Sequence, residues 1–525
     1  MFSEPYLTGL IFKTYEHIQK GTLPDGSYGE GFGYYGFSMQ TWAELLPSLE
    51  NALNIDLSAS LNGSYQEPIW SGIIKDKYTF YFGDSGSNLA PIPNFAWLLP
   101  RYRDPLLGWL YNFLKKDETL MDVLYDTENV PQDDPFDENP VRLFRDVGTT
   151  VFKSGWEKDD FVFVMRTGPF FNHQHFDQGT FWFADYGSIF IEERHGSTYD
   201  NTPYYRPWYT KPVAHSTILI DDNHQSQRGG DPLNFAEGFH EHAFVDHFLD
   251  GEFAAFSSGD IGKLYRGKVK DLKRNVLYIK PRTVLMLDTI VPSEHYADVD
   301  VSLLYQTTYL KDITPGKQKS TITKDGNTLN ILHLYPEHME VKSVQTPHYF
   351  YTLRNTKPLV KEGMLTVTTR TNRTPLVIGN LLTATRGCAP EVTIEYGEGF
   401  VFGTARDVPF AFTTKLNAVY KINGISTDAL AITWKENTIF AAQCKKLNRN
   451  GALLLESQEP VTCEISPGTI KYYVSKESEV LLGVKPRPVK LIVNGKPVKD
   501  YKYEPERRAV KVKLPAGEGT VEFDY

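Results

Sequence analysis

Asn172-His173-Gln174-His175-Phe176-Asp177-Gln178-Gly179 opens the stretch that decides how this chain reads. It continues through the aromatic run Thr180-Phe181-Trp182-Phe183 to Gly187 and Ile191-Glu192-Glu193, and closes on Ala214-His215-Ser216-Thr217-Ile218-Leu219-Ile220. Two histidines two residues apart predict a strand, on which His173, His175 and Asp177 share one face at period 2. Two imidazoles and a carboxylate then converge on one point, and strands ending at Glu192 and beginning at His215 can each add a ligand. Histidines plus a carboxylate with an open position are the donor set of a divalent transition metal, most often zinc. Thirteen histidines in 525 residues produce some close pairs by chance. These polar groups, however, interrupt an otherwise apolar sheet segment, where an unpartnered imidazole or carboxylate is costly.

Working outward, the chain is too long for one core, and two or three domains are expected at 59.8 kDa. Thirty-one Tyr and thirty-two Phe, with frequent Gly and Pro, favour strands and turns. A net charge of −10 without a basic stripe argues against nucleic-acid binding. An anionic substrate needs local cations, and Arg194, Arg206, Lys211 and Arg228 lie in or beside the central stretch. Cys388, Cys444 and Cys463 form no metal or disulfide pattern. No run of about twenty apolar residues predicts a membrane span, and Met1–Pro5 lacks the basic and apolar regions of a signal peptide.

Helices are expected before residue 126. Ser3-Glu4-Pro5 starts one whose face is Leu7, Leu10, Ile11 and Ile18, ending near Gly21. After a glycine-rich entry, Met39, Trp42, Leu45, Leu46, Leu49 and Leu53 follow at helical spacing. Asp104-Pro105 begins another helix, stopping before Lys115-Lys116. Asp126 to Pro140 is acidic and proline-rich, the expected boundary and solvated linker. Beyond it come short strands, among them Thr149–Phe152, Phe161–Met165, Thr180–Ala184, Val276–Ile279 and Val284–Asp288, a pattern of antiparallel sandwiches. Asn494-Gly495 between apolar runs marks a hairpin, and Val510–Leu514 and Val521–Phe523 complete a last β module.

The sequence His-x-His-x-Asp-x-Gly, an aromatic strand, a glycine turn followed by an acid, and a Tyr-rich segment ending Ala-His-Ser-Thr resembles the heparinase II/III-type polysaccharide lyases over roughly residues 1 to 290. That resemblance implies a mainly β chain with an N-terminal helical part. The expected division is 1–125, like the end of an α/α toroid; 141–400, a large antiparallel β-sandwich; and 401–525, a small β module. It implies His173 as catalytic, and His175, Glu192 and His215 as zinc ligands, with Glu193 the alternative acid where many relatives carry Asp. Glu30-Gly31-x-x-Tyr34-Tyr35 resembles the toroid segment bearing the catalytic tyrosine, at Tyr34 or Tyr35 with Tyr34 favoured. Arg194, Arg206 and Lys211 become candidate substrate contacts.

The implied reaction is β-elimination on a 4-linked uronate of an anionic polysaccharide. Alternatives are a uronate epimerase, a metallohydrolase and a non-catalytic carbohydrate-binding or scaffold protein. Relatives are commonly periplasmic or secreted. The chain resembles only the last part of a toroid and lacks a match for the upstream residue that neutralises the uronate carboxylate. Weak activity alone, and association with itself or a missing toroid half, are therefore expected.

Overall fold

The computed structural model describes residues 4–61, 63–171, 173, 175–193, 208–224, 226–227, 242–265, 267–346, 351–352, 355–356, 362–388, 392–499 and 501–525. Local chemistry explains where its helices begin. Helix α1 spans Glu4–Gly21 and α2 Phe32–Leu53. In α3, Pro105–Leu114, the Asp104 side chain accepts from the Leu106 and Leu107 amides at 2.9 and 3.3 Å, and Pro105 fills the first turn, where no amide proton is needed. Helix α4, Leu120–Tyr125, starts on a capping box between Thr119 and Asp122. None of the described helices is long and apolar enough to cross a membrane.

Two compact units result: Met1–Thr217 with Gln227–His242 and Pro347–Val360, and Ile218–Ser226 with Ala243–Thr346 and Lys361–Tyr525. In the first, the helices share a core with a five-stranded antiparallel meander, β1 (Arg142–Phe144), β2 (Thr149–Lys153), β3 (Val162–Arg166), β4 (Phe181–Asp185) and β5 (Ser188–Ile191). Tyr35, Met39 and Trp42 of α2 and Leu107 and Leu110 of α3 belong to the same cluster as Val151, Val164 and Trp182 of the sheet. β2, β3 and β4 are buried on both faces, and Val162–Met165 of β3 and Phe181–Ala184 of β4 run apolar without alternation. The acidic stretch is stitched to this core: the Trp70 and Trp156 indoles donate to the carbonyls of Asn139 and Glu138 at 3.0 and 3.1 Å, and Phe136 packs on Trp109.

The expected face of α1 is only partly used. Ile18 is fully buried, but Leu7 and Leu10 are exposed, as are Tyr6, Phe12 and Tyr15. Helix α4 likewise exposes Leu120, Val123 and Leu124.

The second unit is built of antiparallel sheets of eight, four and fifteen strands. Leu277, Leu285 and Leu381 of the eight-stranded sheet share a core with Phe410, Phe412 and Phe440 of the fifteen-stranded one. The hairpin expected at Asn494-Gly495 joins Lys490–Val493 to Lys496–Pro497, with both turn residues at positive φ (51° and 72°), as a tight two-residue turn requires.

Candidate active site

The histidine motif is not on a strand. His173 sits in a turn at φ 60°, in the left-handed region that non-glycine residues seldom occupy, and regular pairing begins only at Phe181. The chain reverses again at Gly179 (φ 82°). Period-2 alternation does not hold across these reversals, so His173, His175 and Asp177 serve two different centres.

The first centre gathers around Asp84. Its Oδ1 lies 2.9 Å from His175 Nε2 and its Oδ2 lies 3.6 Å from His173 Nδ1, while its amide donates to the His173 carbonyl at 2.9 Å. Tyr34 stacks on His173, with ring centroids 4.0 Å apart and planes 11° from parallel. Glycines let α2 start this close. A Cβ on Gly29 would fall 2.4 Å from the Phe171 ring, and one on Gly31 (φ 83°) would fall 2.7 Å from Ser85 Oγ. Ser85 Oγ instead accepts from the Gly33 amide at 3.2 Å, tying the helix start to the Asp84 loop. Tyr35 points the other way, fully buried between Tyr28 and Phe95, and burial pushes its phenol well above the ordinary value. The two adjacent tyrosines are thus separated: Tyr34 is half-buried beside a histidine, and Tyr35 is core.

The second centre is dry. Asp177, Glu193 and His215 are all buried, and each offers an atom within 4.8 Å of the others. Glu193 receives the Thr180 hydroxyl on Oε1 and contacts His215 Nδ1 through Oε2. His215 Nε2 lies 2.9 Å from the Tyr209 carbonyl, which can only accept, so the proton sits on Nε2 and Nδ1 faces the carboxylates. Asp177 Oδ1 accepts from Gln178 at 3.2 Å, but its Oδ2 is buried with no hydrogen-bond partner. Burial pushes the Asp177 carboxyl up, with Glu193 adding to the effect and His215 and Arg166 opposing it. Burial pulls the His215 imidazole down, but the Glu193 carboxylate outweighs it and holds the imidazole above its ordinary value. Two buried carboxylates and an imidazole nitrogen, one oxygen unpartnered, are a donor set that fits a divalent cation.

The structure brings together the alternative acid rather than the favoured one. Glu193, not Glu192, meets His215, and the reason is a β-bulge: β4 pairs with β5 as Ala184↔Ile189 and then Phe183↔Ile191, leaving Phe190 as an extra residue that shifts the alternation by one. Glu192 is only half-buried. His175 stands next to this cluster, its ring 5.1 Å from that of His215, with its Nε2 turned to Asp84. Lys211 is half-buried with its ammonium 4.9 Å from the Phe176 ring centre. Arg194, Arg206 and Arg228 lie outside the described residues.

Asp84 and Arg166 were not singled out from sequence. Asp84 sits in Gly83-Asp84-Ser85-Gly86, a loop with no periodic signal, far in sequence from its partners. Arg166, at the end of β3, is buried and feels the charges of Asp177, Glu67 and Asp25. The one available signal was a lone arginine closing an apolar strand.

A family model described as "Heparinase II/III-like, C-terminal" matches residues 137–372. No curated protein matches. Among solved structures, the heparan sulfate lyase HepC of Pedobacter heparinus is similar at 17% identity and a TM-score of 0.57, over 75% of this chain and 59% of that one. A structure titled heparinase III is similar at 13% identity and a TM-score of 0.56, over 77% of this chain and 62% of that one. This chain therefore spans about three fifths of the length of those proteins. Residues 137–372 are thus similar to the C-terminal region of the heparinase II/III-like proteins, and the chain shares with those lyases a mainly β fold with N-terminal helices.

Proposed function

We propose that this chain is a polysaccharide lyase acting on 4-linked uronate residues of an anionic polysaccharide, with Tyr34 and His173 as its proton-transfer groups. The observation that carries the proposal is the stack of Tyr34 on His173 at 4.0 Å, with His173 leaning on the Asp84 carboxylate. In the elimination a base removes the proton on C5, beside the uronate carboxylate. That electron pair becomes the C4–C5 double bond, the bond from C4 to the glycosidic oxygen breaks, and the departing oxygen takes a proton. A phenol and an imidazole on one side of the sugar supply both transfers, and a quarter of the His173 side chain is open to solvent. Asp84 orients His173. Positive charge must meet the developing carboxylate charge, and Arg194, Arg206 and Lys211 are the proposed contacts.

Asp177, Glu193 and His215 would hold zinc, with His175 beside them. Zinc would supply cross-linking of the turn at Asp177, the end of β5 and the turn before Ile218, since the centre is too buried to receive a sugar. The support is the unpartnered Asp177 Oδ2 and the tautomer that Tyr209 imposes on His215.

The test is incubation of the chain with heparan-type, chondroitin-type and alginate polymers while absorbance of unsaturated uronate ends is followed. Tyr34→Phe and His173→Ala should each lower the rate about a hundredfold or more, the usual scale for losing a general acid or base. Full activity in both variants would refute the assignment. Products carrying an inverted C5 and no ultraviolet absorbance would mean an epimerase instead.

A further inference from the structure

The second unit contains a groove that the cleavage reading does not use. Its origin lies in one bent strand. Thr438–Arg449 has twelve residues and would span about 40 Å if extended. Yet the Arg449 guanidinium, at its far end, donates at 2.9 Å to the carbonyl of Glu436, just before its start. The strand therefore curls back on itself. Its pairing with Ala452–Ser466 slips three times, between Ala441 and Cys444, Cys444 and Lys446, and Leu447 and Asn448, and such bulges sharpen bend and twist.

The curl encloses about 910 Å³, lined from both ends of the hairpin and by the last strand. That volume falls in the range of small-ligand sites, ~300–1,000 Å³. The floor is apolar, with Ile439 and Ile470 buried and Ile465 and Phe523 half-buried. At the side, Phe523 and Tyr525 stack with ring centroids 6.3 Å apart and planes 26° from parallel. The rim carries Arg449, Lys485, Arg507 and Arg508 against one acid, Glu506. Arg507 is paired with Glu456, which leaves three cationic side chains against one acidic one in the lining, a locally positive set of side chains on a chain of net charge −10. An apolar and aromatic floor suits the C–H faces of sugar rings, whose slight positive charge meets the negative face of the arene, and the cations suit carboxylate or sulfate substituents.

We propose that this groove is a second saccharide-binding site, for a segment of an anionic polysaccharide, held in the C-terminal sheet. The ligand class follows from the lining, and only the choice of uronate polymers as probes rests on the proposed lyase reaction. Residues 437–525 lie beyond the stretch matched by the family model, so the groove is an addition to that region.

The experiment is calorimetric titration of the full chain with heparin-type and polymannuronate hexasaccharides. It is repeated on Lys485→Glu/Arg508→Glu, whose side chains are exposed, and on Tyr525→Ala at the exposed C-terminal residue. Binding should weaken about tenfold in the charge-reversal variant and several-fold in Tyr525→Ala, in line with the loss of modest exposed contacts. Unsaturated-end formation from a uronate disaccharide should be unchanged in both variants if the parent cleaves it. If the parent cleaves nothing, the lyase reading fails while the binding result still stands. Unchanged affinity in both variants would overturn the groove. So would equal binding of a neutral glucan hexasaccharide, or of duplex DNA at the same charge concentration, since either would show that the lining does not select an anionic sugar.

Discussion

His173 and Asp177 are four residues apart, yet they belong to centres built from the same residue types and differing in one property. Around Asp84, the His173 side chain keeps a quarter of its surface and Tyr34 is half-buried. Around Glu193, all three side chains are closed to water. A group that must exchange a proton with substrate has to be reached, whereas buried carboxylates and an imidazole gain most from a fixed cation and lose most if a partner is removed. That contrast supports the proposal of reaction at the first and cohesion at the second.

The largest effect should come from the dry centre. Glu193→Ala strips His215 of its partner and leaves the Thr180 hydroxyl unmet, and should lower the stability of the first unit by about 3–5 kcal/mol, read as a shift in its unfolding midpoint. Asp177→Asn sharpens the test. It should reduce metal content on elemental analysis, yet leave chelator-treated protein as stable as the parent or more so, because it replaces a buried carboxylate oxygen that has no hydrogen-bond partner. Equal loss of stability with and without chelator would mean the centre binds no metal.

Glu67 extends the comparison through Arg166, which feels both Glu67 and Asp177. Burial pushes the Glu67 carboxyl up to about 7, with Arg166 and the Thr149 hydroxyl opposing. The folded state thus holds this proton more tightly than the unfolded one. The stabilisation is complete below the unfolded value near 4.5 and is lost as pH rises toward 7, a change of roughly 3 kcal/mol by linkage. Glu67→Gln, still able to accept from Thr149, should flatten thermal midpoint against pH between about 5 and 7 relative to the parent. An identical slope in both proteins would show that Glu67 ionises freely.

The wet centre should respond in rate rather than stability. Asp84→Asn keeps the shape of the side chain but removes the charge facing His173 and His175, and should lower turnover at least about tenfold with a smaller change in KM. A change confined to KM would make Asp84 a binding residue.

Much of this was legible in the residues because it rests on local rules. Asp104-Pro105 starts a helix and Asn494-Gly495 turns a hairpin wherever they occur, and each does so here. The two-centre arrangement was not legible, for three physical reasons. Reversals at His173 and Gly179 cancel the alternation that would have put His173, His175 and Asp177 on one face. A single bulged residue, Phe190, moves the inward acid from Glu192 to Glu193. Asp84 is brought to the histidines by tertiary packing of a loop, which no period in the sequence encodes. The exposure of Leu7 and Leu10 is of the same kind, since amphipathic spacing marks a face without saying what covers it.

The smallest effect belongs to Tyr35, and it tests the comparison most directly because Tyr35 adjoins Tyr34 in the chain. Its hydroxyl is buried without a hydrogen-bond partner, and burial pushes the phenol well above its ordinary value. It can neither reach a substrate nor change protonation near neutrality. Tyr35→Phe deletes one unsatisfied polar atom and leaves the ring between Tyr28 and Phe95, so stability should move by about 1 kcal/mol or less, in the stabilising direction if at all. Turnover should match the parent, while Tyr34→Phe at the next position loses about a hundredfold. A loss in Tyr35→Phe comparable to that in Tyr34→Phe would break the division between the wet centre and the core, because proton transfer would then have to pass through a hydroxyl that the fold has sealed.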